Sequence, residues 1–359
     1  MRQTQVAFGA GIVRLGPLDG LRGIAALVIV LGYQAQGLFA AGSFDGAGSV
    51  VEWFHAWGWI FADLFFVISG FVFAHVYVGG RGLGSRDDLA SFTVGRIARL
   101  YPLHLLLLIL CTGLYWNAAQ TSVPAFIAHL FMLQAVVQPA VQAFNASAWL
   151  LSAEAICCAF FAIALHAGRR SLAMVTLAAI LVSTAFLFWR GLPGGPWNQD
   201  LVVRGLLGFF IGQALWGRRV ELRRVPAGAL VAIAALGLAL AMGQWSPIPA
   251  LCLLVWPSLV LLALRVPLLE SRPLIWLGDR SYVIFLLHLP LLDLIVRITG
   301  KLEGGAPFIL AATLGYGLAV LLLSEVVYRL AEVPTRRLVR SRGLDVRDVG
   351  LIGGLPGRG

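Results

Sequence analysis

The chain has 359 residues, 59% of them hydrophobic and only 12% charged, with a mean hydropathy of +0.87. Soluble domains carry about a quarter charged residues, so this composition excludes an ordinary soluble globular protein. The formal net charge of +10 is almost wholly arginine, Lys301 being the one lysine. These arginines fall in short clusters between apolar runs, the pattern of membrane orientation signals and not of a nucleic-acid surface.

A helix needs about 20 mostly apolar residues to cross a bilayer. Such stretches occur at 18–40, 57–78, 99–116, 147–166, 171–189, 201–216, 227–243, 247–264, 274–298 and 307–330. The first is longer than the roughly 7–15 residues of a signal-peptide core, so it reads as a first helix. An eleventh stretch, 123–141, is interrupted by Pro124, His129, Gln134, Gln138 and Pro139. Arginine clusters occupy Arg81–Arg99, Arg169–Arg170, Arg218–Arg224, Arg265–Arg272 and the tail from Arg336, whereas 41–56, 190–200, 243–247 and 299–306 are arginine-poor. Only if 123–141 does not cross do all clusters fall on the cytoplasmic side. The expected fold is therefore an all-α polytopic membrane bundle of about ten transmembrane helices with both termini cytoplasmic. Segment 123–141 is expected to be re-entrant or interfacial on the outer face, where irregular backbone packs on protein or lines a wet cavity. Residues 1–337 read as one integral-membrane domain and 338–359 as a disordered cytoplasmic tail. Cys111, Cys157, Cys158 and Cys252 lie in apolar runs without disulfide or metal spacing, and no metal is expected.

Ionisable groups inside spans are functional candidates by default, at a cost of about 2.5–3.5 kcal/mol each on insertion scales. Asp19 and Arg22 open the first span; either they cap it and snorkel to the interface, or they begin a functional face that returns three turns later at Tyr33. Asp63 lies in the second span toward its outer end, too far from Arg22 to be its counter-ion, with no partner evident in the sequence. Arg96 and Arg99, spaced i, i+3, share a face at the cytoplasmic start of the third span. They are topogenic charge or a clamp for phosphate, which each guanidinium can bind bidentately. Glu154 lies one to two turns inside the fourth span, where a carboxyl is a structural hydrogen-bond partner or a poised acid or base. His288, mid-span, is a helix–helix hydrogen-bond partner or a catalyst. His104, His129 and His166 are weaker candidates, and Asp293 with Arg297 forms an i, i+4 pair.

Taken in order, these residues resemble acyltransferase family 3, integral-membrane acyltransferases that decorate bacterial glycans. The resemblance rests on the run Leu18-Asp19-Gly20-Leu21-Arg22-Gly23 and on Asp63-Leu64-Phe65-Phe66-Val67-Ile68-Ser69-Gly70-Phe71. It continues through Arg96-x-x-Arg99 before Tyr101-Pro102, Trp149 with Glu154, Ser281-Tyr282 with His288, and Glu332-Val333-Pro334-Thr335-Arg336. It covers nearly the whole chain, about residues 17–337. It implies a multi-pass protein of the plasma (inner) membrane. The implied substrates are a cytoplasmic acyl-coenzyme A, acetyl-coenzyme A above all, and a hydroxyl of a glycan or lipid-linked acceptor at the outer side, with no permanently bound cofactor. In that picture Arg22, Arg96 and Arg99 hold coenzyme A phosphates, Glu154, Tyr33 and His288 carry the chemistry, and Asp19, Asp63, Ser69, Trp149, Ser281 and Tyr282 support the site. Glu154 would lie across the hydrocarbon from the arginines, bridged by the pantetheine arm.

One position departs from the family. Eleven residues after the first-helix arginine the family usually carries a histidine, taken as the catalytic base; here Tyr33 stands there. At an ordinary pKa near 10, about one tyrosine in a thousand is ionised at pH 7, whereas imidazole is well matched. Three readings follow: Glu154 is the base with Tyr33 as donor, His288 substitutes, or the chain binds its ligands without efficient turnover. Two rival classes remain: a transporter of a lipid-linked glycan or anion, using the same charges as a path, and a catalytically silent binding protein.

Overall fold

The computed structural model describes residues 14–44, 48–116, 121–137, 140–191, 200–242 and 246–335. Arg336 and the expected tail 338–359 lie outside them, as do Gln138, Pro139 and most of the 190–200 connection. The helices run in chain order as α1 (Gly16–Leu27), α2 (Ser49–Trp57), α3 (Phe61–Phe73), α4 (Arg86–Tyr115), α5 (Val123–Leu130), α6 (Trp149–His166) and α7 (Arg169–Arg190). They continue as α8 (Leu201–Gly217), α9 (Arg219–Leu222), α10 (Ala227–Ala241), α11 (Pro247–Ala250), α12 (Trp256–Ala263), α13 (Arg272–Thr299) and α14 (Ala306–Val327). Among the described residues the one β-type contact is a bridge between Phe39 and Leu302.

Among the described residues seven continuous helical stretches are long and apolar enough to cross a membrane: Gly16–Leu38, Ser49–Gly80, Arg86–Tyr115, Ala146–His166, Arg169–Arg190, Arg272–Thr299 and Ala306–Thr335. Three apolar helices are shorter: Leu201–Gly217, Ala227–Ala241 and Pro247–Ala263. Together these coincide with the ten stretches legible in the sequence. By contrast α5 has eight residues, about 12 Å at 1.5 Å per residue, against a hydrocarbon core of about 30 Å. Turns and short 3₁₀ segments follow it up to α6.

The expected start of the third span needs correction. Helix α4 begins at Arg86, well ahead of the apolar run, because Ser85 and Asp88 form a reciprocal capping box and Asp87 adds charge to the first turn. Arg96 and Arg99 consequently sit about 15 and 20 Å along this helix, not at its mouth.

Contacts gather the arginine-bearing connections at one end of the bundle. Arg14 pairs with Asp279, His166 Nδ1 bonds the Leu83 carbonyl, Arg169 reaches Val78, and Arg265 spans to Leu222 and Val225. At the other end Leu302 bonds residues 38 and 40, Lys301 bonds the Gly37 carbonyl, and Arg297 bonds that of Leu114.

Two pairs of helices meet backbone to backbone. A Cβ on Gly70 of α3 would lie 1.8 Å from the Phe209 carbonyl oxygen, and one on Gly212 of α8 would lie 2.0 Å from that of Val67. Gly205, Gly208 and Gly212 form the α8 stripe that admits this approach, the small-residue packing used between membrane helices. Likewise α1 meets α13 through Gly23 and Gly278, the latter with room for no Cβ beside the Asp19 carbonyl, while Gly20 abuts the Leu269 carbonyl just ahead of α13. The glycines of Leu18–Gly23 thus serve helix contact.

Candidate active site

At the basic end, the α1–α13 contact places Arg22 among acceptors. Its Nε donates to Ser281 Oγ (3.0 Å), and Nη2 donates to Asp19 Oδ1 (2.9 Å) and the Gly278 carbonyl (3.2 Å). Arg14 binds Asp19 and Asp279 from the other side, so two cations face two carboxylates. The expected role of Arg22 as a free phosphate-binding guanidinium does not fit these bonds. Together with Asp19 and Ser281 it pins α1 to α13.

Deeper in the bundle, Ser69 and Phe73 stand four residues apart on one face of α3. Ser69 Oγ donates to Glu154 Oε1 (3.3 Å), while the Arg96 guanidinium stacks on the Phe73 ring at 4.5 Å and approaches Phe92 at 6.0 Å. Ser69 and Phe73, one turn apart on α3, thus hold Glu154 and Arg96 on the same side of that helix. Arg96 and Glu154 are therefore neighbours about one turn apart, not separated by the hydrocarbon. Arg96 is buried, and its Nε and Nη1 have no hydrogen-bond partner among the described residues. A buried guanidinium resting on aromatic rings with unused donors is suited to an anionic ligand. Arg99, three residues on, is also buried. Tyr282 closes this side of the bundle by donating to the Leu100 carbonyl (2.6 Å).

The third cluster surrounds His288. This residue is 1% exposed; the backbone of Ile284 and Phe285, one turn back, lies beside its ring, but neither ring nitrogen makes a well-formed hydrogen bond among the described residues. It faces a small cavity shared with Gln34, Trp59, Ser147, Trp149 and Phe285, with about 20 Å³ in which a water centre fits. That is room for roughly one water molecule or one small polar group. Tyr33 is not among its lining residues. Two bonds fix the helix here: Tyr316 donates to the His288 carbonyl (2.9 Å) and Asn145 Nδ2 to that of Leu286 (2.9 Å).

Behind the cavity, the partner missing for Asp63 is Arg204. Nε and Nη2 of Arg204 donate to Asp63 Oδ1 (3.1 Å) and Oδ2 (3.0 Å). The guanidinium lies between Trp59 (4.6 Å) and Trp149 (5.3 Å), two walls of the His288 cavity. Neither Arg204 nor Gln34 was singled out from the sequence. For Arg204 a signal existed, a lone arginine in an apolar run that had to match an unpaired intramembrane carboxylate. No comparable signal marked Gln34. Among the described residues no group of three His, Cys, Asp or Glu side chains could hold a metal.

Comparison with known proteins bears on this arrangement directly. A family model described as an acyltransferase domain matches residues 16–324. The chain belongs to acyltransferase family 3. It is 30% identical over 151 residues to a protein of Streptomyces mycarofaciens named acyltransferase MdmB, covering 40% of this chain and 37% of that one. It is 39% identical over 98 residues to protein 2 in the picA locus of Rhizobium radiobacter, covering 27% of this chain and 44% of that one. The matched parts thus span less than half the length of either curated relative, and no solved structure matches. Most of the segments that carry the family resemblance, those from Leu18 through His288, meet in three clusters: the Arg22 pin, the Arg96–Glu154 neighbourhood and the His288 cavity.

Proposed function

We propose that the protein transfers a small acyl group, acetyl in the simplest case, from acyl-coenzyme A to a hydroxyl of a glycan or lipid-linked acceptor. The observation that carries this reading is His288: an imidazole buried at a small, mostly apolar cavity it shares with Gln34 and Ser147, its ring nitrogens without a hydrogen bond among the described residues, in a bundle that also buries an unsatisfied guanidinium near a carboxyl. Burying such groups is costly unless a ligand completes them. An imidazole is also the side chain best suited to take a hydroxyl proton near neutral pH.

In this reading Arg96, with Arg99, holds the phosphates or the pantetheine amides of the donor, and Glu154 stands where the arm passes. As the acceptor oxygen attacks, the new C–O bond forms, the thioester C–S bond breaks, and the hydroxyl proton goes to His288 and then to the leaving thiolate. The clustering of arginine connections at one end supports a cytoplasmic assignment for that end. With the three shorter helices counted, this gives ten crossings in the plasma (inner) membrane. The donor would then enter from the cytoplasm and the acceptor from the side of α5.

The test uses purified protein and radiolabelled acetyl-coenzyme A with a membrane glycan extract. Label transfer or coenzyme A release is expected, reduced at least about a hundredfold by His288→Asn and by Glu154→Gln. Uptake of glycan into vesicles without any acyl donor would assign the protein to transport instead.

A further inference from the structure

The first helix changes its winding before it reaches the cavity. Val28–Tyr33 is π-helical, and the Gln34 N–H bonds the Ile29 carbonyl five residues back. Such a turn rotates everything after it and recurs at functional sites. In an unbroken α-helix the residue four beyond Ile29, position 33, would share its face. Here Ile29 and Gln34 are the two that line the His288 cavity. Gly32 and Tyr33 turn the other way, Gly32 toward Phe54 and the Tyr33 Cβ to within 2.9 Å of where a Cβ on Gly58 would stand. The extra residue in the turn therefore transfers the active-face position from 33 to 34.

Among the described residues the Gln34 carboxamide has no hydrogen-bond partner. Of the other polar groups at the cavity, Ser147 Oγ is spent on Asn145 Oδ1 (2.7 Å) and Trp59 Nε1 on the Ala56 carbonyl (3.0 Å), while neither ring nitrogen of His288 has a hydrogen bond among the described residues. A base and an amide donor thus share one water-sized space walled by aromatic rings. That combination suits a carbonyl carbon under attack: the base faces the incoming hydroxyl, and the N–H faces the oxygen that gains charge.

We propose that Gln34 is a catalytic residue whose Nε2–H donates to the acyl carbonyl oxygen as the acceptor hydroxyl adds and the proton passes to His288. When the thioester C–S bond breaks, the C=O re-forms and the hydrogen bond relaxes. The proposal rests on the acyl-transfer reading above.

The experiment follows coenzyme A release from acetyl-coenzyme A by the purified full chain supplied with membrane glycan extract. It compares Gln34→Met, which keeps length without the amide, with Gln34→Asn, which keeps the amide on a shorter arm. The expected result is a kcat about a hundredfold lower for Gln34→Met, with KM for acetyl-coenzyme A within about threefold and Gln34→Asn at least about tenfold faster than Gln34→Met. A packing role gives the reverse order, because Met fills the site better than Asn. Gln34→Asn slower than Gln34→Met, Gln34→Met within threefold of the wild-type kcat, or an equal loss on Tyr33→Phe would each overturn the proposal. Wild-type protein that releases no coenzyme A would remove the acyl-transfer reading and Gln34's role with it. An active wild type indifferent to Gln34 removes only the latter.

Discussion

Asp63 and Arg204 face each other through two parallel hydrogen bonds, and the same guanidinium is stacked between Trp59 and Trp149. The ion pair thus fixes two walls of the His288 cavity from behind. Removing one member of a buried pair typically costs about 3–5 kcal/mol, since it strands the other. Arg204→Met and Asp63→Leu are each expected to lower the unfolding midpoint sharply in detergent. Their combination should be less damaging than the sum, and a double-mutant cycle on thermal unfolding measures the difference.

The glycine contacts make a second, steric prediction. Gly70→Ala and Gly212→Ala place a methyl group on a carbonyl oxygen of the facing helix, so both should abolish accumulation of folded protein. Gly113, on α4, has open space around its Cβ direction. Gly113→Ala should be neutral or stabilising by up to about 1 kcal/mol, read by the same unfolding assay.

Arg22 and Arg96 should part company in binding experiments. Because Arg22 is committed to Ser281, Asp19 and Gly278, Arg22→Lys should lower thermal stability while leaving coenzyme A affinity close to wild type. Arg96→Leu should weaken coenzyme A binding at least about tenfold, the loss of one charge-assisted contact. Calorimetric titration of both variants checks the contrast, and equal effects would contradict it.

A pH dependence is expected on the α5 side. His129 is buried, which pushes its pKa down to about 4; its Nε2 donates to the Ala140 carbonyl, and its ring stacks on His104 at 6.1 Å. An unfolded chain protonates this imidazole near its ordinary 6.5. Stability is therefore intact above that value and lost as pH falls toward 4, the unfolded state binding the extra proton. Thermal unfolding across pH 7 to 4 should show the decline, and His129→Gln should make it shallower.

The apolar helical stretches are legible in the sequence because they depend on short-range pattern, apolar length and arginine spacing, and polar residues where none belongs mark the candidates for the site. The sequence could not carry what depends on winding or on distant partners. The face presented by the end of the first helix hinges on one π-turn, invisible in a run of Val, Ile, Leu and Gly, so sequence spacing points to Tyr33 whereas Gln34 lines the cavity. Asp63 was recognised as needing a partner, yet Arg204 is 141 residues away along the chain. Arg22 and Arg96 read alike as basic residues at motif positions. Only tertiary contacts separate the one bound on three acceptors from the one with spare donors.

The stretch between α4 and α6 is fastened through main-chain carbonyls and a few buried polar side chains of its own, Asn145 among them. Tyr101 and His104 grip the carbonyls of Leu130 and His129, and Gln134 folds back onto the carbonyl of Ala148. Its outward side chains, among them Val123, Ile127 and Phe131, take no part in this fastening and stand exposed. Substitutions at these exposed positions are therefore expected to change what this surface meets while the His288 cavity keeps its shape.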